Sequence, residues 1–95
     1  MIKLVSIKPS TAKGKKMTAV FNIDGKKKTV HFGASGYSDY TIHRDEDRKK
    51  RYITRHKKNE NWNDPSKPGT LSRYILWEHK NKQTAIKLYK KRFNL

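Results

Sequence analysis

Two alternating runs flank Asp24-Gly25, and that arrangement leaves the N-terminal part of the chain little choice of fold. Met17, Ala19, Phe21 and Ile23 alternate with Thr18, Val20 and Asn22, and after the Asp-Gly pair come Lys26-Lys27-Lys28-Thr29-Val30-His31-Phe32. A type I′ turn needs positive φ at both central positions, which Asp and Gly tolerate, and its twist matches that of the flanking strands. The pattern predicts an antiparallel hairpin over 17–23 and 26–32. Its register pairs Ile23 with Lys26, Phe21 with Lys28, Ala19 with Val30 and Met17 with Phe32. Met17, Ala19, Phe21, Val30 and Phe32 then share one face, apolar at its base and basic at its tip.

The remaining segments read as one strand before the hairpin and helices after it. Residues 2–8 are β-branched and apolar enough for an edge strand, ended by Pro9-Ser10, and 9–16 read as a basic loop. Gly33-Ala34-Ser35-Gly36 reads as a turn. Ser38 or Asp39 can cap a helical turn over 40–42. A helix is predicted over 45–58, with Asp45, Glu46 and Asp47 in its first turn, where the macrodipole favours anions. Lys49, Lys50 and Arg51 follow these acids at i+4, the supportive order. Tyr52, Ile53 and His56 form its expected buried stripe. After the turn-rich run 59–69, Thr70 is expected to cap a helix over 70–78 and Asn81 one over 82–93. Strands first and helices after define an α+β fold in a single domain, 1–95.

The core of such a domain must be thin. The hydrophobic share is 33%, against about 45–50% apolar content in an average domain. An aromatic share of 11% supplies much of the large buriable surface. The absence of cysteine excludes a disulfide framework and a thiolate metal site, and suits a reducing compartment. Residues 1–6 lack the apolar core of a secretory signal, and no run approaches the roughly 20 apolar residues of a membrane span.

Charge is the second strong constraint. There are 24 Lys and Arg against 8 Asp and Glu, a net charge of +16. Residues 1–35 and 65–95 carry +7 each, and 36–64 carry +2. The acids of the middle segment are therefore expected to serve internal contacts.

Catalytic and metal readings fare poorly. His31, His43, His56 and His79 form no pair at metal-ligand spacing. Asp45-Glu46-Asp47 point about 100° apart on a helix and cannot converge on one ion. Gly33-Ala34-Ser35-Gly36 lacks the Lys-Ser/Thr ending of a phosphate loop. Ser38, Asp39 and His43 are neighbours in sequence, but a triad is defined by geometry. The expectation is a protein with no catalytic residue, metal or cofactor.

Four basic clusters carry more information. Lys13, Lys15 and Lys16 precede the hairpin, and Lys26, Lys27 and Lys28 stand at its turn. Arg48, Lys49, Lys50, Arg51, Arg55, Lys57 and Lys58 surround the first helix, and Lys90, Lys91 and Arg92 end the last. One such cluster would be a solvated surface; four with few compensating acids point to a polyanion or an acidic protein surface. Trp62, in Glu60-Asn61-Trp62-Asn63-Asp64-Pro65, reads first as a plug fastening an irregular loop to the core and second as a base-stacking residue.

The runs 31–43, 51–56, 60–65, 69–77 and 89–93 (HFGASGYSDYTIH, RYITRH, ENWNDP, GTLSRYILW and YKKRF) together resemble a family of short, basic proteins of large DNA viruses of algae and protists, with relatives in some algae. The resemblance covers residues 28–93. It implies a viral setting and a shared fold, and no assigned activity or catalytic residues to carry over. Phe32, Tyr37, Tyr40, Ile42, Tyr52, Trp62, Tyr74 and Trp77 are the expected core of that fold.

Two functions fit. The first is a non-enzymatic virion structural protein, a minor capsid or cement-like subunit binding larger acidic capsid or virion proteins. The second is a protein that neutralises viral DNA or RNA. No zinc-finger, RRM or basic-zipper signature supports the second, so the first leads. The expected location is the virion, after synthesis in the host cytoplasm or nucleus.

Overall fold

The computed structural model describes residues 1–95. Its elements are β1 (Ile2–Pro9), β2 (Lys15–Ile23), β3 (Lys26–Ala34), α1 (Tyr40–His43), α2 (Glu46–Lys57), α3 (Pro68–Leu71), a π-helical turn (Ser72–Leu76) and α4 (Lys82–Phe93). The fold is α+β: a three-stranded antiparallel sheet in the order β1-β2-β3, followed by short helical segments.

The hairpin takes the expected register, from Ile23 opposite Lys26 to Met17 opposite Phe32. Asp24 and Gly25 both have positive φ, 52° and 86°, and the Asn22 side chain accepts a hydrogen bond from the Gly25 amide at 2.9 Å. β1 adds to the other edge of β2. Ile2, Leu4 and Ile7 lie opposite Ile23, Phe21 and Ala19. Strict alternation would send Ile7 to the face opposite Leu4. A bulge between Leu4 and Ser6 restores it to the core side and leaves Val5 exposed.

Met17, Ala19, Phe21, Val30 and Phe32 pack under Leu71, Tyr74, Ile75, Leu76 and Tyr89. The π turn explains how Tyr74, Ile75 and Leu76 are all buried. An α-helix rotates successive side chains by about 100°; the wider i→i+5 turn narrows that arc. α4 is capped by Asn81, whose side chain accepts from the Thr84 amide at 3.0 Å, and buries Ala85 and Tyr89. The Tyr89 hydroxyl donates to the Pro65 carbonyl and fastens the loop before α3. Trp62 packs against the core, its Nε1–H donating to Glu60 Oε2 at 2.7 Å.

Several expectations are corrected. The helix read over 70–78 begins instead at Pro68, at the first helical position that proline favours, and passes into the π turn at Ser72. Thr70 is no cap: it is buried inside α3 and its hydroxyl donates to the Asn61 carbonyl at 3.4 Å. Asp45 is the N-cap of α2 rather than part of its first turn. Of the α2 stripe, Tyr52 is buried while Ile53 and His56 are only half-buried. Tyr37 and Ile42 are outside the core, 74% and 62% exposed, because they flank the buried Asp39-Tyr40 pair that the chain turns inward.

At Gly33 the sheet meets the helical layer closely. Its φ is +77°, and a Cβ there would lie 2.7 Å from Leu76 Cδ1 and 3.2 Å from Lys16 Cβ. Gly14 has a similar φ of +83° with open space around it. Gly14→Ala is expected to destabilise by about 1 kcal/mol through backbone strain alone. Gly33→Ala adds the clash and is expected to cost about 2–4 kcal/mol. Parallel urea unfolding of the two variants measures the difference.

Candidate polyanion-binding surface

α2 is almost wholly polar, so its position depends on a few contacts. Asp45 accepts from the Asp47 and Arg48 amides at 2.9 and 3.3 Å, and the bond from Arg48 foremost holds its carboxyl below the ordinary carboxylate range. Tyr52, the one buried residue of α2, stacks on Trp77 with ring centroids 4.2 Å apart and planes 3° from parallel. His56 stacks on Tyr52 at 4.3 Å. Burial pushes the Tyr52 hydroxyl up to about 12. Lys49 adds a second tether: its Nζ donates to the Glu78 carbonyl at 2.8 Å and lies 5.0 Å from the Tyr40 ring centroid.

Beside α2, Lys16 and Asp39 form a buried ion pair with Nζ and Oδ2 2.6 Å apart. Asp39 is 2% exposed. Its other oxygen accepts from the Thr41 amide at 2.9 Å and from the Thr41 hydroxyl, which caps α1. The carboxylate thus joins the base of β2 to the segment that leads into α2.

Around these anchors lies an open groove of about 480 Å³ between the end of β3, α2 and α3. Lys15, Lys16, Arg48, Arg55 and His56 line it, with Tyr37, Tyr52 and Trp77 as aromatic walls. On α2, Arg48, Tyr52, Arg55 and His56 follow the i, i+4, i+7, i+8 spacing of one helix face. That spacing was present in the sequence, but the whole basic run around it obscured which members share a face. Glu60, also in the lining, is held by Trp62 at 2.7 Å and faces His56 Nδ1 at 3.8 Å.

The other basic residues named from sequence are dispersed. Lys13 is exposed in the β1–β2 turn, and Lys26 and Lys27 are exposed beside the turn at the other end of β2. Lys28 reaches Ser66 at 3.3 Å. Lys50, Arg51, Lys57 and Lys58 are exposed along and just past α2. Lys90, Lys91 and Arg92 are exposed in the last turn of α4, with Arg92 4.6 Å from the Tyr74 ring centroid. Of the 24 Lys and Arg side chains, only Lys16 and Arg73 form ion pairs. Arg73 was not singled out in sequence. It pairs with Glu78 and lies 5.2 and 4.8 Å from the Trp62 and Tyr74 ring centroids, so it serves packing.

No three His, Asp or Glu side chains are grouped to hold a metal ion. No helix is long and apolar enough to cross a membrane.

A family of unknown function, DUF5754, matches residues 5–56, and the chain belongs to that family. The matched segment runs from β1 to the end of the groove-facing side of α2. It includes Lys15, Lys16, Asp39, Arg48, Tyr52, Arg55 and His56. The chain matches none of the curated proteins and none of the solved structures.

Removing the Asp39 carboxylate strips Lys16 of its partner and α1 of its cap together. Asp39→Ala is expected to cost about 2–4 kcal/mol, with Asp39→Asn milder because its amide oxygen still caps Thr41. Urea midpoints of the two variants test the order. A pH effect follows from His43, whose Nδ1 accepts from the Asp45 amide at 2.9 Å. Burial first, then the nearby Arg48, push this histidine below its ordinary 6.5. Below that value the unfolded chain takes up a proton that the folded chain resists, so stability falls as pH drops. Unfolding curves from about pH 7 to about pH 5 are expected to fall less steeply for His43→Gln.

Proposed function

We propose that this protein is a non-enzymatic basic structural subunit of a virus particle, joining the acidic faces of larger shell proteins. The observation that carries this reading is the unpaired charge. Nearly all of the Lys and Arg side chains lack an acidic partner within the chain. A surface so charged gains stability when an anionic partner covers it.

The distribution supports a bridging role. The body measures 40 × 26 × 25 Å. Lys13 and Lys15 sit at one end of β2 and Lys26 and Lys27 at the other, about 27 Å apart at strand rise. Two acidic surfaces can therefore be engaged at once. The α+β core between them is a spacer. The virion setting rests on the resemblance over residues 28–93, and synthesis in the host cytoplasm or nucleus goes with it.

Neutralisation of viral DNA or RNA uses the same cations and is the competing reading, favoured by the gathering of Lys15, Arg48 and Arg55 around one groove. Opened particles treated with nuclease and washed at about 0.15 M salt separate the two. Retention on genome-free shells, measured by mass spectrometry, is the expected result; release with the genome would assign the protein to nucleic acid. Exchanging Lys26 and Lys27 for Gln, or Lys13 and Lys15 for Gln, is each expected to weaken shell binding about tenfold, and the two sets together more.

A further inference from the structure

We propose that the groove between β3, α2 and α3 is a binding site for a nucleoside phosphate, built on Arg48 and Arg55 of α2 and sharing only Lys15 with the cations that serve docking. Its volume, about 480 Å³, falls within the range of about 300–1,000 Å³ typical of small-ligand sites and exceeds what a lone phosphate needs. Arg48 and Arg55 stand two helical turns apart on the face of α2 that borders it, about 10 Å along the axis, so the lining carries two separated guanidinium side chains. Neither makes an ion pair, and Lys15 adds a third unpaired cation. Guanidinium forks are suited to phosphoryl oxygens.

The acids in the lining are already engaged. Asp39 is neutralised by Lys16, and Glu60 accepts from Trp62. They leave the free charge of the groove positive. Tyr37 is the reason to expect a base as well as a phosphate. It is a large aromatic residue on the rim, 74% exposed, with no aromatic partner of its own. An exposed tyrosine beside unpaired arginines offers a stacking face to a base whose phosphates the arginines hold. Neighbouring Ser38 also lines the groove, and its amide donates to no group of the protein.

Such chemistry can come from a free nucleotide or from the phosphorylated end of a strand, and the test separates them. The full chain is titrated at low salt with ATP, with tripolyphosphate, and with one short oligonucleotide bearing or lacking a 5′-phosphate. Binding is read by calorimetry and from the tryptophan fluorescence of the unaltered chain, to which Trp77 in the groove wall contributes. ATP is expected to bind at least about tenfold tighter than tripolyphosphate. A free nucleotide is the source if ATP binds and the 5′-phosphate adds nothing to the oligonucleotide; a strand end is the source if the 5′-phosphate adds about tenfold. Arg48→Ala with Arg55→Ala is expected to lose about tenfold or more. Lys50→Ala with Lys57→Ala removes the same charge from the opposite side of α2 and is expected to change binding less than about twofold. Tyr37→Ala is expected to erase the preference for ATP over tripolyphosphate. The proposal is overturned if neither ATP nor the 5′-phosphorylated strand binds, if tripolyphosphate matches ATP, or if the two double variants weaken binding equally.

Discussion

Mutual repulsion among cations governs how this chain can be arranged. Net charge is +16, only 16 of 95 residues are buried, and internal ion pairing is confined to a few acids. The fold answers by spacing. The long central strand holds its two lysine clusters about 27 Å apart, nearly three screening lengths at about 0.1 M salt. The acids stand where one carboxylate has the greatest local effect: Asp39 on Lys16 and α1, Asp45 at the start of α2, and Asp64 under Ser66. Few are left for the exposed surface: Asp24 pairs with the N-terminal amine, and Glu46 and Asp47 lie exposed in the first turn of α2.

The hairpin, its register and the last helix were legible because each rests on local chemistry. Asp24-Gly25 demands one turn, and Asn81 marks the start of α4 whatever lies around it. The sheet edge was legible in outline, but not the bulge at Val5, which exists to bring Ile7 beside Ala19. The π turn was hidden for a similar reason. Nothing in Ser72-Arg73-Tyr74-Ile75-Leu76 forbids an α-helix; the need to lay three successive side chains on the sheet decides it. Tyr37 and Ile42 misled because size and apolarity in a small domain read as core.

The candidate site was legible as a list of cations and not as a place. Burial of Tyr52 against Trp77 turns α2 so that Arg48 and Arg55 border the groove while Lys50 and Lys57 face away. Trp77 lies well outside the segment that defines the family match, so a contact between distant parts of the chain sorts one basic helix into two unlike faces.

The π turn has a consequence for how this lineage can vary. Such a turn holds one residue more than the α-helical path between the same endpoints. Losing a residue between Ser72 and Leu76 would let the segment relax into an ordinary helix between the same endpoints, but successive side chains would again stand about 100° apart and three in a row could no longer all face the sheet. The helical layer would lose part of its hold on Phe21 and Phe32 even though the composition of every strand was untouched. Tolerance to deletion should therefore be lowest in a stretch that contains none of the exposed lysines.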